Sequence, residues 1–322
     1  MIAIPLAARG APLSPRAAGQ LTLLGACLIW GINFTVVPLL LRRLHPLDVT
    51  LLRTVMAACS FLALLVLLRR GRPHFTRAEW TRLLTLGVLG VAVVNTASAI
   101  GQNHLPATIS SLLMTSSPIF TALFASLLGL ERIDRRMAAA LAMASAGLAV
   151  LVLWGRGASL PLSSTTLVSV ALLIVVPICW ATYTVLNKPL VSRHPPLEMS
   201  AYGMIIGAIV VLPLALTDTA RVGRILELDA AGWGLALFST ICSQVIGNVA
   251  FGSALRVLTP SEAAMSTYLT PVFGILVAWL VLGEHPTLGL LLGGGLILAA
   301  MLLVTSRSSA RAAAVPAGDP GS

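Results

Sequence analysis

The residues best suited to grip a small molecule are carboxamides and aromatics set at helical spacing inside apolar runs. Trp30, Asn33 and Val37 fall at i, i+3 and i+7, with Phe34 beside them, and Trp180, Tyr183 and Asn187 repeat that spacing. Such intervals put side chains on one face of a helix. Asn95, Ser98 and Gln102 share a face, as do Thr240, Gln244 and Asn248, and as do Ser110, Met114, Ser117 and Thr121; Thr267, Tyr268 and Thr270 stand late in the chain. Amides and hydroxyls hydrogen-bond a solute without carrying charge, and indole and phenol rings add flat apolar surface. The chemistry expected is noncovalent grip on a neutral or zwitterionic solute with an apolar side chain. For the serines and threonines a plainer role competes, since hydroxyls also tie helix to helix at about 0.6 kcal/mol per bond in a membrane bundle.

Charge is nearly absent from these faces. Arg53 sits about one turn into an apolar run, where an arginine is expensive unless it snorkels to headgroups, pairs with a helix C-terminus or binds a substrate carboxylate. Lys188 closes another run and reads as a gate or topology marker. The acidic residues and the five histidines His45, His74, His104, His194 and His285 all lie at the ends of runs. An intramembrane hydrolase would need a base at depth to activate a serine, and a proton or cation pump would need buried carboxylates or histidines as relays. Both are disfavoured, no metal site or cofactor is expected, and nothing resembles a nucleotide-binding loop. Cys27, Cys59, Cys179 and Cys242 are spaced too widely for a redox pair or metal knuckle and read as small core residues.

Only a membrane can hold these faces. The chain has 322 residues, 57% of them hydrophobic and 10% charged, against about 45–50% and about 25% in soluble domains, and its mean hydropathy is +0.95. Windows of about 19 residues predict spans near 20–41, 49–68, 79–103, 107–129 and 136–154, then 164–187, 197–216, 231–252, 260–282 and 287–305. An all-α protein of ten spans leaves no room for a separate soluble domain, only tails at 1–19 and 307–322. The net charge of +10 would suit nucleic acid in a soluble protein. Here fifteen of the 21 Lys and Arg fall on the inner side of an N-terminus-inside topology, five fall outside, and Arg53 lies within a span. That bias predicts both termini in the cytoplasm and the bilayer, not nucleic acid, as partner. The N-terminus lacks the order of a cleaved signal, so the first span is expected to remain as an anchor. Trp154 and Trp279 read as interfacial belt residues, and Glu131 and Glu284 as loop or cap contacts.

The chain also repeats itself. Trp30-Gly31-Ile32-Asn33 matches Trp180-Ala181-Thr182-Tyr183 at an offset of 150, and Ser117-Pro118-Ile119-Phe120 matches Thr270-Pro271-Val272-Phe273 at 153. Two five-span units, near 20–155 and 164–306, must enter the membrane in opposite orientations because five is odd; inverted repeats of this kind belong to transporters that alternate access around a midplane site. Pro118 and Pro271, at matched positions, would kink the fourth and ninth spans and serve as hinges or as packing bends. Ala140, Ala144 and Gly147 in the fifth span, and Gly289 and Gly293 in the tenth, form small-residue faces for close packing, within the fold or between two copies in a homodimer.

WGINF at 30–34, LLRT at 51–54, SSPIF with LGLE at 128–131, WATYTVLNK at 180–188 and LTPVFGILVAWLVLGEHPTLGLLLGGGLIL at 269–298 together resemble the drug/metabolite transporter superfamily with two tandem EamA-type domains. The resemblance covers most of the chain. It departs late in the first span, where the family often has Lys and this chain has Pro38. It implies a ten-helix inner-membrane exporter or exchanger of small metabolites, commonly amino acids; nucleobases, sugars, vitamins and small drugs are the other cargoes open to the superfamily.

Overall fold

The computed structural model describes residues 14–70, 73–105, 110, 113, 114, 116–153, 163–218, 220–282, 288, 289, 292–300 and 303. Residues 1–13 and 307–322 of the expected tails, Trp154 and Glu284, and parts of the fourth and tenth spans lie outside them, while the end of the expected N-terminal tail is already helical. Among the described residues the regular structure is all helical. The helices are α1 (Pro15–Leu41), α2 (Pro46–Leu67), α3 (Arg77–His104), α4 (Ser117–Leu127), α5 (Arg135–Leu153), α6 (Ser164–Arg193), α7 (Pro196–Leu214), α8 (Arg221–Leu226), α9 (Ala230–Val257), α10 (Pro260–Ser266) and α11 (Leu269–Leu282). Residues 292–300 are helical as well. Six of these, α1, α2, α3, α6, α7 and α9, are long and apolar enough to cross a membrane, and α4 is a shorter apolar helix.

Local chemistry explains where the helices start. Ser14 accepts the Ala17 N–H and hands over to Pro15; His45 Nδ1 accepts the Leu47 N–H ahead of Pro46. Proline suits the first helical position because its missing N–H would have no partner there. Thr76 with Glu79, and Thr259 with Glu262, form reciprocal capping boxes at α3 and α10. The helices bury one face and leave Leu21, Leu62, Leu67, Leu127, Val168 and Ile209 exposed, the opposite of a water-soluble surface and suited to lipid. Cys59 is exposed with them, whereas Cys27 and Cys179 are buried, so the core reading fails for Cys59.

Packing runs crosswise between the two halves. α1 lies against α9 and α11, and α6 lies against α3 and α4; α2 meets α7 and α9, and α7 meets α2 and α3. The α1–α11 crossing is close because residue 31 is glycine: a Cβ there would stand 2.8 Å from the Thr270 carbonyl oxygen and 2.9 Å from the Gly274 nitrogen. The fifth-span face meets its tenth-span counterpart, with a Cβ on Gly147 only 2.7 Å from the Gly293 carbonyl oxygen. This contact packs the two small-residue faces against each other inside one chain.

Three departures from the sequence expectation matter for the site. First, regular α-helix stops and restarts within the fourth and ninth spans. Residues 113 and 114 are helical, a turn follows at Ser116, and α4 restarts at Ser117 with Pro118 in its first turn. Likewise α10 stops at Ser266 and α11 starts at Leu269, with Pro271 in its first turn. Second, α3 and α9 each contain a π-helical stretch, Leu86–Val93 and Phe238–Ile246; a wider turn inside an α-helix re-aims side chains and is common at functional sites. Third, the connection before α9 folds into α8, whose Arg221 and Arg224 converge on a fully buried carboxylate, Asp48. Loop cations read as topology markers are thus structural partners of α2.

Candidate functional site

Where the halves interlock, α1, α2, α3, α4, α6, α7, α9 and α11 enclose a cavity of about 190 Å³. One wall is aromatic. Trp30 and Trp180, the matched residues of the two halves, meet edge to face with centroids 5.6 Å apart; Trp180 stacks on Tyr183 at 5.0 Å, and Phe251 backs both indoles at 5.8 and 5.2 Å. The Trp30 Nε1 donates to the Ser243 carbonyl oxygen at 3.1 Å. Gly90 lets Tyr183 lie flat against α3, since a Cβ there would overlap the phenol ring.

The amides form the polar wall and are held in place by one another. Gln244 Nε2 donates to Asn95 Oδ1 at 3.1 Å, joining α9 to α3 across the two halves. Asn248 Nδ2 donates to the Gln244 carbonyl oxygen at 2.6 Å, and the Ser239 hydroxyl donates to Asn33 Oδ1 at 2.7 Å. Gln102 Nε2 reaches back to the Ser98 carbonyl oxygen at 3.2 Å. Ser243 and Gln244 belong to one π stretch and Gly90 and Val91 to the other, so both stretches reach the cavity. The interruptions reach it too, because Met114, Ser117, Thr267 and Thr270 are lining residues. Helix ends inside a membrane are tolerated where they face protein or a wet space.

Most of the residues singled out from the sequence line this space: Trp30, Asn33, Phe34, Asn95, Ser98, Gln102, Met114, Ser117, Trp180, Tyr183, Gln244, Asn248 and Thr267. Arg53 lines it as well and is 6% exposed, which rules out snorkelling to headgroups. Six of the stripe and charge candidates do not, and of these Ser110, Thr121 and Thr240 are buried with no exposed surface. Asn187 continues the α6 stripe beyond the cavity and is buried. Tyr268 sits in the turn between α10 and α11 and points away, its hydroxyl 3.1 Å from Ser145 Oγ on α5. Lys188 spends its ammonium on the Leu255, Arg256 and Leu258 carbonyl oxygens at 2.8, 3.2 and 2.9 Å, and so caps the C-terminal end of α9, where a cation is favoured.

Ser200, Gly203 and Met204 on α7 are lining residues outside the polar and aromatic stripes. Their signal was the repeat itself, for Gly203 stands 150 positions after Arg53. Several hydroxyls proved neither lining nor interhelical: Thr22, Ser60, Thr182 and Ser253 donate to the carbonyl four residues back in their own helices. Among the described residues no three His, Cys, Asp or Glu side chains gather where a metal could sit.

A family model of the EamA-like transporter family matches residues 17–153 and 167–306. The chain belongs to that family. It is a membrane transporter, and the family's relatives are named as transporters, not enzymes. An "Uncharacterized transporter" of Archaeoglobus fulgidus is 26% identical over 280 residues, 87% of this chain and 94% of that one. A "Probable terminal-alkyne amino-acid exporter" of Streptantibioticus cattleyicolor is 29% identical over 225 residues, 70% and 73% of the two chains. A "Probable amino-acid metabolite efflux pump" of Salmonella typhimurium is 25% identical over 282 residues, 86% and 90%. One solved crystal structure shares the fold with a TM-score of 0.70 at 17% identity, covering 91% of this chain and 98% of that chain.

Proposed function

We propose that this EamA transporter exports or exchanges small neutral or zwitterionic metabolites, amino acids foremost, by alternating access across the bacterial inner membrane. The observation that carries this reading is the cavity between the two halves, walled by the matched indoles of Trp30 and Trp180 on one side and by the Asn95–Gln244 amide pair on the other. Both walls join residues of one half to residues of the other, so a movement of either half against its partner alters the site from both sides. The repeat offsets, the crosswise packing and the interrupted fourth and ninth spans support ten helices arranged as two inverted five-helix units. The Lys and Arg bias supports termini in the cytoplasm. Two relatives named for amino-acid export support the cargo class.

Purified protein in liposomes loaded with threonine, methionine or phenylalanine tests the reading. Saturable counterflow of the labelled amino acid is expected. Counterflow by nucleobases, sugars or vitamins alone would move the cargo to another class, and no saturable flux across the whole panel would overturn the amino-acid assignment.

A further inference from the structure

Resting on the reading that this cavity is the substrate site, we infer that Arg53 makes it a monocarboxylate site, in which the carboxylate is the required group of the solute and the amino group is dispensable. Arg53 is the one ionised side chain among the described lining residues. It is buried, and its Nε has no hydrogen-bond partner among the described residues; no described Asp or Glu forms an ion pair with it. A guanidinium held in that way is the strongest available ligand for a carboxylate, because its planar fork matches two carboxylate oxygens at once.

A further observation gives the site the same sign. There is no described lining carboxylate that could pair with an ammonium. What the cavity offers an amino group is neutral oxygens, those of the Gln244 side chain and of the Ser98, Ser200 and Thr270 hydroxyls, which accept a hydrogen bond from a hydroxyl as readily as from an amine.

The count of carboxylates follows from the repeat. At the position matching Arg53 the second half has Gly203, also a lining residue. The cavity therefore holds one cation set to one side, and a dicarboxylate would bring a second charge with no counterpart. The aromatic wall accommodates an apolar body on that single carboxylate.

Thermal-shift titration of the purified full chain in detergent tests this, with phenylalanine, 3-phenyllactate, phenylalaninamide and phenethylamine as probes, and with the same four derivatives built on methionine. The two acids of a series are expected to bind within about threefold of each other. The amide and the amine are expected to bind at least tenfold more weakly. Arg53→Gln should lose binding of the acids at least tenfold and Arg53→Lys should recover part of it, because lysine restores the charge without the fork. Should Arg53→Gln fail to fold, the wild-type ranking alone decides. Equal binding of acid, amide and amine, or retention of acid binding by a folded Arg53→Gln protein, would overturn the inference and leave amino-acid transport standing. Binding of no probe by the wild type would overturn both.

Discussion

Asn95 and Gln244 show how much a single contact decides in this cavity. Their 3.1 Å hydrogen bond joins α3 to α9, and removing one partner strands the other's amide in a nearly dry wall, at a cost of about 1–3 kcal/mol. Gln244→Ala is therefore expected to cut counterflow by about tenfold, about 1.4 kcal/mol of binding, while folded yield measured by size exclusion changes little. Equal loss of yield and flux would mean that the pair is packing alone. Lys188→Met should behave in the opposite way. It leaves the Leu255, Arg256 and Leu258 carbonyls without their shared donor, and is expected to lower the melting temperature in detergent while solute affinity stays within twofold of wild type. The amide and aromatic stripes were legible because their spacing is periodic and their residue types are rare in lipid. The role of Lys188 was not, since its partners lie 67 to 70 positions away and local sequence carries no trace of them.

At the scale of elements, helix crossings and helix ends carry the predictions. Gly31→Ala places a methyl group against backbone, 2.8 Å from the Thr270 carbonyl oxygen, and backbone yields less than a side chain. Overpacking of that kind costs about 1–3 kcal/mol, so a lower melting temperature is expected together with weakened solute binding, because Thr270 lines the cavity. Asp218, beyond the end of α7, accepts a 2.7 Å hydrogen bond from Arg224, which holds its carboxyl below the usual carboxylate range. A depressed carboxylate adds stability that is present above the unfolded-state value and is lost as pH falls through the folded-state value. The melting temperature of wild type should thus fall more steeply below about pH 4 than that of Asp218→Asn; parallel curves would assign the acid sensitivity elsewhere. Periodicity gives helix existence, and the six long apolar helices were legible from it. The π stretches in α3 and α9 and the breaks before Ser117 and Leu269 were not, because runs such as Leu86–Val93 are apolar on every side and so conceal a change of pitch. Tyr268 stands out in the sequence by its residue type and not by its spacing, and the turn it sits in points its hydroxyl to Ser145 on α5.

For the molecule as a whole, packing is crosswise, and among the described residues each buried cluster mixes the two halves: α1 finishes its burial on α9 and α11, and α6 on α3 and α4. The two halves are expected to fail as separate domains, and expression of residues 1–158 alone should yield no monodisperse species in detergent, whereas co-expression with residues 159–322 should restore one. The repeat offsets announced two units but not their interleaving, which depends on which faces meet and not on how often a motif recurs. Ion pairs tie both ends of the bundle, with unequal grip. At one end Arg70 stands 4.0 Å from Glu198, and Glu79 faces Arg193 and His194 at 3.5 and 3.2 Å. At the other, Arg221 and Arg224 both hold Asp48, which has no exposed surface. An acid so enclosed has no water to turn to while its partners leave, so the contact breaks as a unit or stays whole. Parting at the Asp48 end becomes a rare, abrupt event separated by long waits, which donor and acceptor dyes across that end of single molecules would record.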